Sequence, residues 1–206
     1  MSSARIGRMP AARRSLLVQA AAHEFASNGY VNASLNRIIE TCGMSKSSFY
    51  YVIPSKSDLF DFVVGDLIER VRSIVDVPRP ETFAGDDFWP ALADFCARLQ
   101  TVAERDEAFL TLGRMFYCDA PESATGPVAD TWAAVREWLY DLLRTGRRCG
   151  AVRDDLPEAL QLRVTLRILQ VFDEWTVAHH GQLDTGGLSA LAEAQFATVR
   201  RVLRPG

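Results

Sequence analysis

No stretch of the 206 residues approaches the ~18 consecutive apolar positions that a membrane-spanning helix needs. The opening stretch, MSSARIGRMPAARRSLLVQAAAHEF, has arginines but no signal-peptide core, since its apolar part is Ala-rich and is interrupted by Gln19, His23 and Glu24. A cytoplasmic protein without a membrane partner is expected. Cysteines are few and far apart, at 42, 96, 118 and 149, and form no CxxC, which excludes a disulfide scaffold and points to reduced thiols. Of three histidines, His179 and His180 are adjacent and cannot face one way on a helix, and HExxH is missing, so no metal is expected. Gly-rich phosphate loops and GxSxG are also missing, so neither a cofactor nor a catalytic residue is expected, and the chain does not read as an enzyme. Alternating runs rich in β-branched residues do not occur, which leaves no candidate strands. What is present, 48% hydrophobic and 24% charged residues, excludes wholesale disorder.

Charge is distributed unevenly. Residues 1–56 carry seven basic side chains, among them Arg13, Arg14, Arg37, Lys46 and Lys56, against only Glu24 and Glu40, a balance of +5. The remainder carries 16 basic and 24 acidic side chains, a balance of −8, and the whole chain is at −3. A basic head on an acidic body is the pattern of a polyanion-binding module attached to something else.

Nearly every segment reads as helix. Leu17, Ala20, Ala21 and Phe25 recur at helical spacing over about 11–27, and Asn28-Gly29 ends that run. A short helix over 34–41 carries Leu35, Ile38 and Ile39 inward. Cys42-Gly43-Met44 is a tight connection, Ser45 is an N-cap for a helix over 46–52, and Pro54-Ser55 introduces a long helix over about 56–75. Pro78 and Pro80 mark the best boundary, so 1–56 is expected to be one domain, 56–76 its connecting helix and 77–206 the other. Beyond it, 87–103, 107–118, 127–149, 157–180 and 187–203 read as amphipathic helices, and the expected class is all-α.

Two short helices joined by a small-residue turn form the helix-turn-helix layout. The second of them opens Ser45-Lys46-Ser47-Ser48, small polar residues of the kind that meet base edges and phosphates where a helix enters the major groove. Tyr50 and Tyr51 follow one turn later, within reach of the sugar-phosphate backbone, and Lys56 supplies a further charge.

The segment from Leu16 to Phe60 resembles the DNA-binding head of the TetR family of bacterial repressors. The resemblance rests on Ala20-Ala21, Phe25, Gly29-Tyr30, Ile38, Gly43, Ser45-Lys46, Tyr50, the run Pro54-Ser55-Lys56 and Leu59. It implies an all-helical homodimer whose N-terminal three-helix helix-turn-helix head binds double-stranded operator DNA. A long fourth helix then leads to a C-terminal ligand-binding and dimerisation bundle. Three positions depart from the family pattern: Ala33 stands where Thr is usual, Ile53 where Phe is usual, and Glu24 where an apolar residue is usual. Carried over position by position, Ser34 and Asn36 would touch phosphate and Arg37 would reach phosphate or remain a solvated charge. Lys46 and Ser47 would meet base edges with Ser48 and Tyr51 beside them, and Tyr50 and Lys56 would hold the backbone.

In the body, Phe95, Leu99, Phe109, Leu112, Met115, Phe116, Trp132, Trp138, Phe172, Trp175 and His179 recur at helical spacing and are candidates to line an apolar effector pocket. Such stripes are also what plain core looks like. The resemblance places Leu162, Leu166, Leu169 and Val177, with Leu188, Leu191, Phe196 and Val199, in a four-helix dimer interface. The expected function is a small-molecule-responsive transcriptional regulator, a repressor. The alternatives are a thiol-redox sensor using Cys118 or Cys149, and a helical small-molecule-binding protein that no longer reads DNA.

Overall fold

The computed structural model describes Ile6, residues 9–117 and residues 126–206. Regular structure among the described residues is entirely helical: α1 (Ala11–Asn32), α2 (Leu35–Thr41), α3 (Lys46–Val52), α4 (Lys56–Ile74), α5 (Phe88–Arg105), α6 (Glu107–Tyr117), α7 (Pro127–Arg148), α8 (Glu158–His179) and α9 (Thr185–Leu203), with short 3-10 turns at Pro80–Phe83 and His180–Gln182. No helix among the described residues is long and apolar enough to cross a membrane. The chain divides into two compact units, one from 1–73 and 108–129, the other from 74–107 and 130–206.

Helices α1 to α4 build the first unit around Leu17, Phe25, Ile38, Phe49, Ile53, Leu59, Phe60 and Val63, all at most 2% exposed. Phe25, Tyr30 and Phe60 meet as a ring cluster, with Phe60 edge-on to both partners. Two backbone positions set its geometry. Gly29 adopts φ 69° and ψ 167°, a conformation side chains disfavour, and turns the chain near the end of α1. Gly43, at φ 58°, follows α2 in the left-handed region. The Gly43 amide donates to the Glu40 carbonyl and the Met44 amide to the Ile39 carbonyl, a Schellman closure of α2.

The sequence places the boundary at Pro78, whereas the first unit also takes in α6 and the start of α7. Ala108 and Met115 are buried in its core and Leu112, Phe116 and Val128 pack against it. The cause is that a contiguous boundary is a property of the chain, while a core recruits any apolar face that reaches it. Of the expected effector-pocket residues, Met115 is therefore in the core of the N-terminal unit and Leu112 and Phe116 pack against it.

In the second unit, Phe83, Phe88, Trp89, Leu92, Phe95, Leu139, Leu142, Leu143, Val152, Val199 and Leu203 form the core. Trp138 packs on it and donates its indole N–H to the Pro78 carbonyl at 2.8 Å, and Trp89 donates to the Ala151 carbonyl at 2.9 Å. Phe95, Leu99 and Trp138, also expected at a pocket, belong to this core or its edge. Gly146 allows the close approach of α7 to Val152 and Phe88, since a Cβ there would lie 2.4 Å from the Val152 side chain and 2.8 Å from the Phe88 ring.

Helix α8 packs along one face on the second unit's core. Leu162, Leu166 and Leu169, together with Phe196 of α9, are half-buried against the unit's own core, and Val199 is part of it. Leu188, Leu191 and Val177 are half-buried. Two polar residues turn the helix this way. Gln161 is buried, accepts from the Arg147 guanidinium at 2.8 Å and donates to the Arg153 carbonyl at 2.9 Å. Thr165 is equally buried and donates to the Gln161 carbonyl at 2.8 Å. Polar residues with internal partners can occupy a core face that sequence patterning assigns to apolar ones. What α8 shows outward is an apolar stripe of Leu160, Val164, Val171 and Trp175, of which Val171 is 62% exposed. An open groove on this side is lined by Leu160, Arg163, Val164, Arg167, Ile168, Val171, Phe172 and Thr198. Phe172, expected at a pocket, lines it. Trp175 and His179 stack on one another, ring centroids 4.2 Å apart, and Phe109 and Trp132 are half-buried.

Candidate nucleic-acid interface

Helix α3 has one buried side chain, Phe49, which is fully enclosed in the head's core. Every other residue of the helix except half-buried Val52 is exposed. Ser45 precedes it in an extended conformation and accepts the Ser48 amide at 3.2 Å, an N-cap worth ~1 kcal/mol. The Ser45 hydroxyl also donates to the Ser48 hydroxyl at 2.8 Å and lies 3.1 Å from that of Ser47, so the three form one exposed polar cluster at the start of the helix. Lys46 is exposed beside them, and Tyr50 and Tyr51 are 46% and 70% exposed one turn later. Hydroxyls, an ammonium and first-turn amides gathered at one helix end are donors suited to phosphate oxygens and base edges.

Lys56 begins α4 and is held in place. Its ammonium donates to the Val31 carbonyl at 2.8 Å and lies 5.3 Å from the centroid of the Tyr30 ring. Neither contact cancels its charge. Lys46 and Lys56 are the chain's only lysines, so both fall in this head.

Ser34 caps α2, its hydroxyl accepting the Arg37 amide at 3.4 Å. Arg37, expected to reach phosphate or to remain a solvated charge, makes an ion pair within the head. Its Nε and Nη2 donate to Glu24 Oε1 at 3.1 and 2.7 Å, and the same oxygen accepts the Ser34 amide at 2.7 Å. Glu24 is nearly buried on α1, whereas the Arg37 side chain is 58% exposed. Burial pushes the Glu24 carboxyl up, but the Ser34 amide, Arg37 and His23 outweigh it and hold the group below its ordinary value. Sequence patterning registers Glu24 only as a departure from family habit. The signal that identifies its partner is the basic residue at the third position of α2, where a carboxylate or amide would ordinarily reach back to the cap.

Ser34, Asn36, Ser45, Lys46, Ser47, Ser48, Tyr50, Tyr51 and Lys56 thus lie on α2, on α3 and at the start of α4, within one unit. No cluster of three or more His, Cys, Asp or Glu suited to a metal occurs among the described residues. Residues 17–63 match the family model for bacterial regulatory proteins of the tetR family. The N-terminal head is similar to that family over those residues. A 63-residue stretch, 31% of the chain, is 33% identical to YdgC of Bacillus subtilis (strain 168), a helix-turn-helix-type transcriptional regulator, and takes in 32% of that relative's length. Over nearly the whole chain the fold is similar to a TetR-family transcriptional regulator from Chloroflexus aurantiacus, with a TM-score of 0.66 and 17% identity over 98% of this chain and 97% of that one. It is also similar to FadR of Bacillus subtilis in complex with stearoyl-CoA, with a TM-score of 0.63 and 15% identity over 91% of this chain and 98% of that one. The tetR-family match and these similar structures are of transcriptional regulators, not enzymes.

Because the folded-state value for Glu24 is lowered, its stabilisation is fully present above the ordinary carboxylate range and is lost as pH falls through the lowered value. Wild type is therefore expected to exceed Glu24→Gln in denaturant midpoint near neutral pH, with the two converging in acid. A gap that stays constant with pH would show that the charge at Glu24 contributes nothing.

Proposed function

We propose that the chain is a DNA-binding transcriptional regulator that works as a homodimer on a near-palindromic operator. In this reading it acts as a repressor and is released by a small, largely apolar effector. The observation that carries the reading is α3, a helix anchored by buried Phe49 and half-buried Val52 that presents Ser45, Lys46, Ser47 and Ser48 outward within a tetR-like head. In this reading Lys46 and Ser47 meet base edges with Ser48 and Tyr51 beside them. Ser34, Asn36, Tyr50 and Lys56 meet the backbone.

The second copy is assigned to the outward stripe of α8. A self-complementary apolar strip is what a two-fold interface needs, and Leu160, Val164, Val171 and Trp175 supply one. A dimer places two copies of α3 about one helical turn apart, ~34–36 Å, to enter successive major grooves. Effector binding is assigned to the C-terminal unit, with Phe95, Leu99, Trp132 and Trp138 among its apolar candidates. The stearoyl-CoA held by FadR supports ligand binding by such a fold. An effector that prefers an arrangement unsuited to DNA shifts the population and releases it. The described cysteines do not favour a thiol switch: burial pushes the Cys42 and Cys96 thiols up, away from the reactive thiolate, and the Cys149 thiol donates to the Gly146 carbonyl at 3.4 Å. Cys118 lies outside the described residues.

Two experiments test this reading. Fragments of the source genome incubated with the purified protein should yield one near-palindromic site whose capture weakens steeply with salt. No enrichment at low salt, even after unfolding and refolding to strip a resident ligand, would refute DNA reading. Val171→Glu changes an exposed position, so it should leave the fold intact while converting a dimer to a monomer in sedimentation. A Val171→Glu protein that still dimerises would place the interface elsewhere.

A further inference from the structure

Glu24 is the feature of the head that the DNA-contact reading does not use. In a capping box, the N-cap hydroxyl accepts the amide of the third helical residue, and that residue's carboxylate or amide side chain accepts the N-cap amide in return. Helix α2 has the first half, from Ser34 to the Arg37 amide. Its third residue is Arg37, which has no acceptor to complete the second half. Glu24 of α1 completes it from another helix, taking the Ser34 amide and the Arg37 guanidinium on one oxygen, Oε1.

We propose that Glu24 is a positioning residue that closes the capping box of α2 across helices and cancels the charge of Arg37, so that Arg37 does not count as a phosphate contact. The inference rests on the DNA-binding reading and refines it. Glu24 is nearly buried, with its side chain 11% exposed, while the Arg37 side chain is 58% exposed, so the pair is shielded from solvent and salt on the Glu24 side. The exposed guanidinium of Arg37 then presents to DNA a neutral pair rather than a cation. Arg37 lies close in sequence to Ser34 and Asn36, so the end of α2 contributes hydroxyl and amide donors without net charge. Lys46, exposed at the start of α3, and Lys56, beside Val31, remain as the head's uncancelled lysine charges. Glu24 and the cation at 37 are thus joined across helices by two hydrogen bonds to one carboxylate oxygen.

The test is a salt-dependence cycle on a short mixed-sequence DNA duplex, read by fluorescence anisotropy on the full chain, with folding of each variant checked by circular dichroism. Each phosphate neutralised contributes about 0.9 to the slope of log affinity against log salt. Arg37→Ala is expected to keep the wild-type slope. Glu24→Gln, which keeps an acceptor for the Ser34 amide but frees the Arg37 charge, is expected to steepen the slope by about 0.9. The double variant is expected to return to the wild-type slope. A slope that falls by about one in Arg37→Ala would overturn the proposal, because Arg37 would then be neutralising a phosphate despite Glu24. So would a Glu24→Gln protein that binds more weakly at every salt concentration with no change of slope, the mark of a purely structural residue. If Glu24→Gln does not fold, Arg37→Ala decides alone. Wild type that binds the duplex at no salt concentration would instead refute DNA reading itself and leave the hydrogen-bond geometry of Glu24 as a fold feature.

Discussion

The DNA-reading account depends on how α3 is held. One phenylalanine, Phe49, buries in the head's core and the rest of the seven-residue helix is left almost entirely to solvent. A helix this short has little stability of its own, so its orientation comes from tertiary packing and from its caps. Ser45 supplies the cap at one end, and the left-handed Gly43 sets the turn that aims the helix away from α2. The ring cluster of Phe25, Tyr30 and Phe60 ties the end of α1 to α4 behind it. Small polar residues can be exposed at the start of α3 because Phe49 and the caps do the holding.

Electrostatics then sorts the head's cations. A positive balance over the first 56 residues suggests a general attraction to polyanions, but the structure distributes it unequally. Lys46 is exposed beside the serine cluster, Lys56 is oriented by a carbonyl that leaves its charge intact, and Arg37 is matched by a nearly buried carboxylate. Counting basic residues therefore overstates the number of phosphates the head can neutralise. The relevant quantity is the count of cations without an anionic partner, since only those release counterions when they meet DNA.

The head was largely legible in the sequence because its signals are local. Ser45 as a cap and Gly43 as a turn each act over a few residues, and the structure places them as those patterns require. Glu24 was visible only as an oddity, because its partners stand 10 and 13 residues away and nothing local announces them. The body was less legible. On α8 the inward face includes Gln161 and Thr165, whose polar atoms are satisfied by Arg147, the Arg153 carbonyl and the helix backbone, and hydrophobic periodicity does not register them. For α6 the helix itself was readable but not the core it joins, because Met115 and Leu112 carry no mark of which unit they will enter.

The central claim is that the start of α3 meets DNA, and the chain's lysine content makes it directly measurable. Only Lys46 and Lys56 can react with an amine-selective label on side chains. Labelling should be followed by mass spectrometry, with and without saturating duplex DNA at low salt. The account predicts that Lys46 labels readily in the free protein and is shielded when DNA binds. Equal labelling of Lys46 in both states, with DNA demonstrably bound, would contradict it and move the interface away from α3.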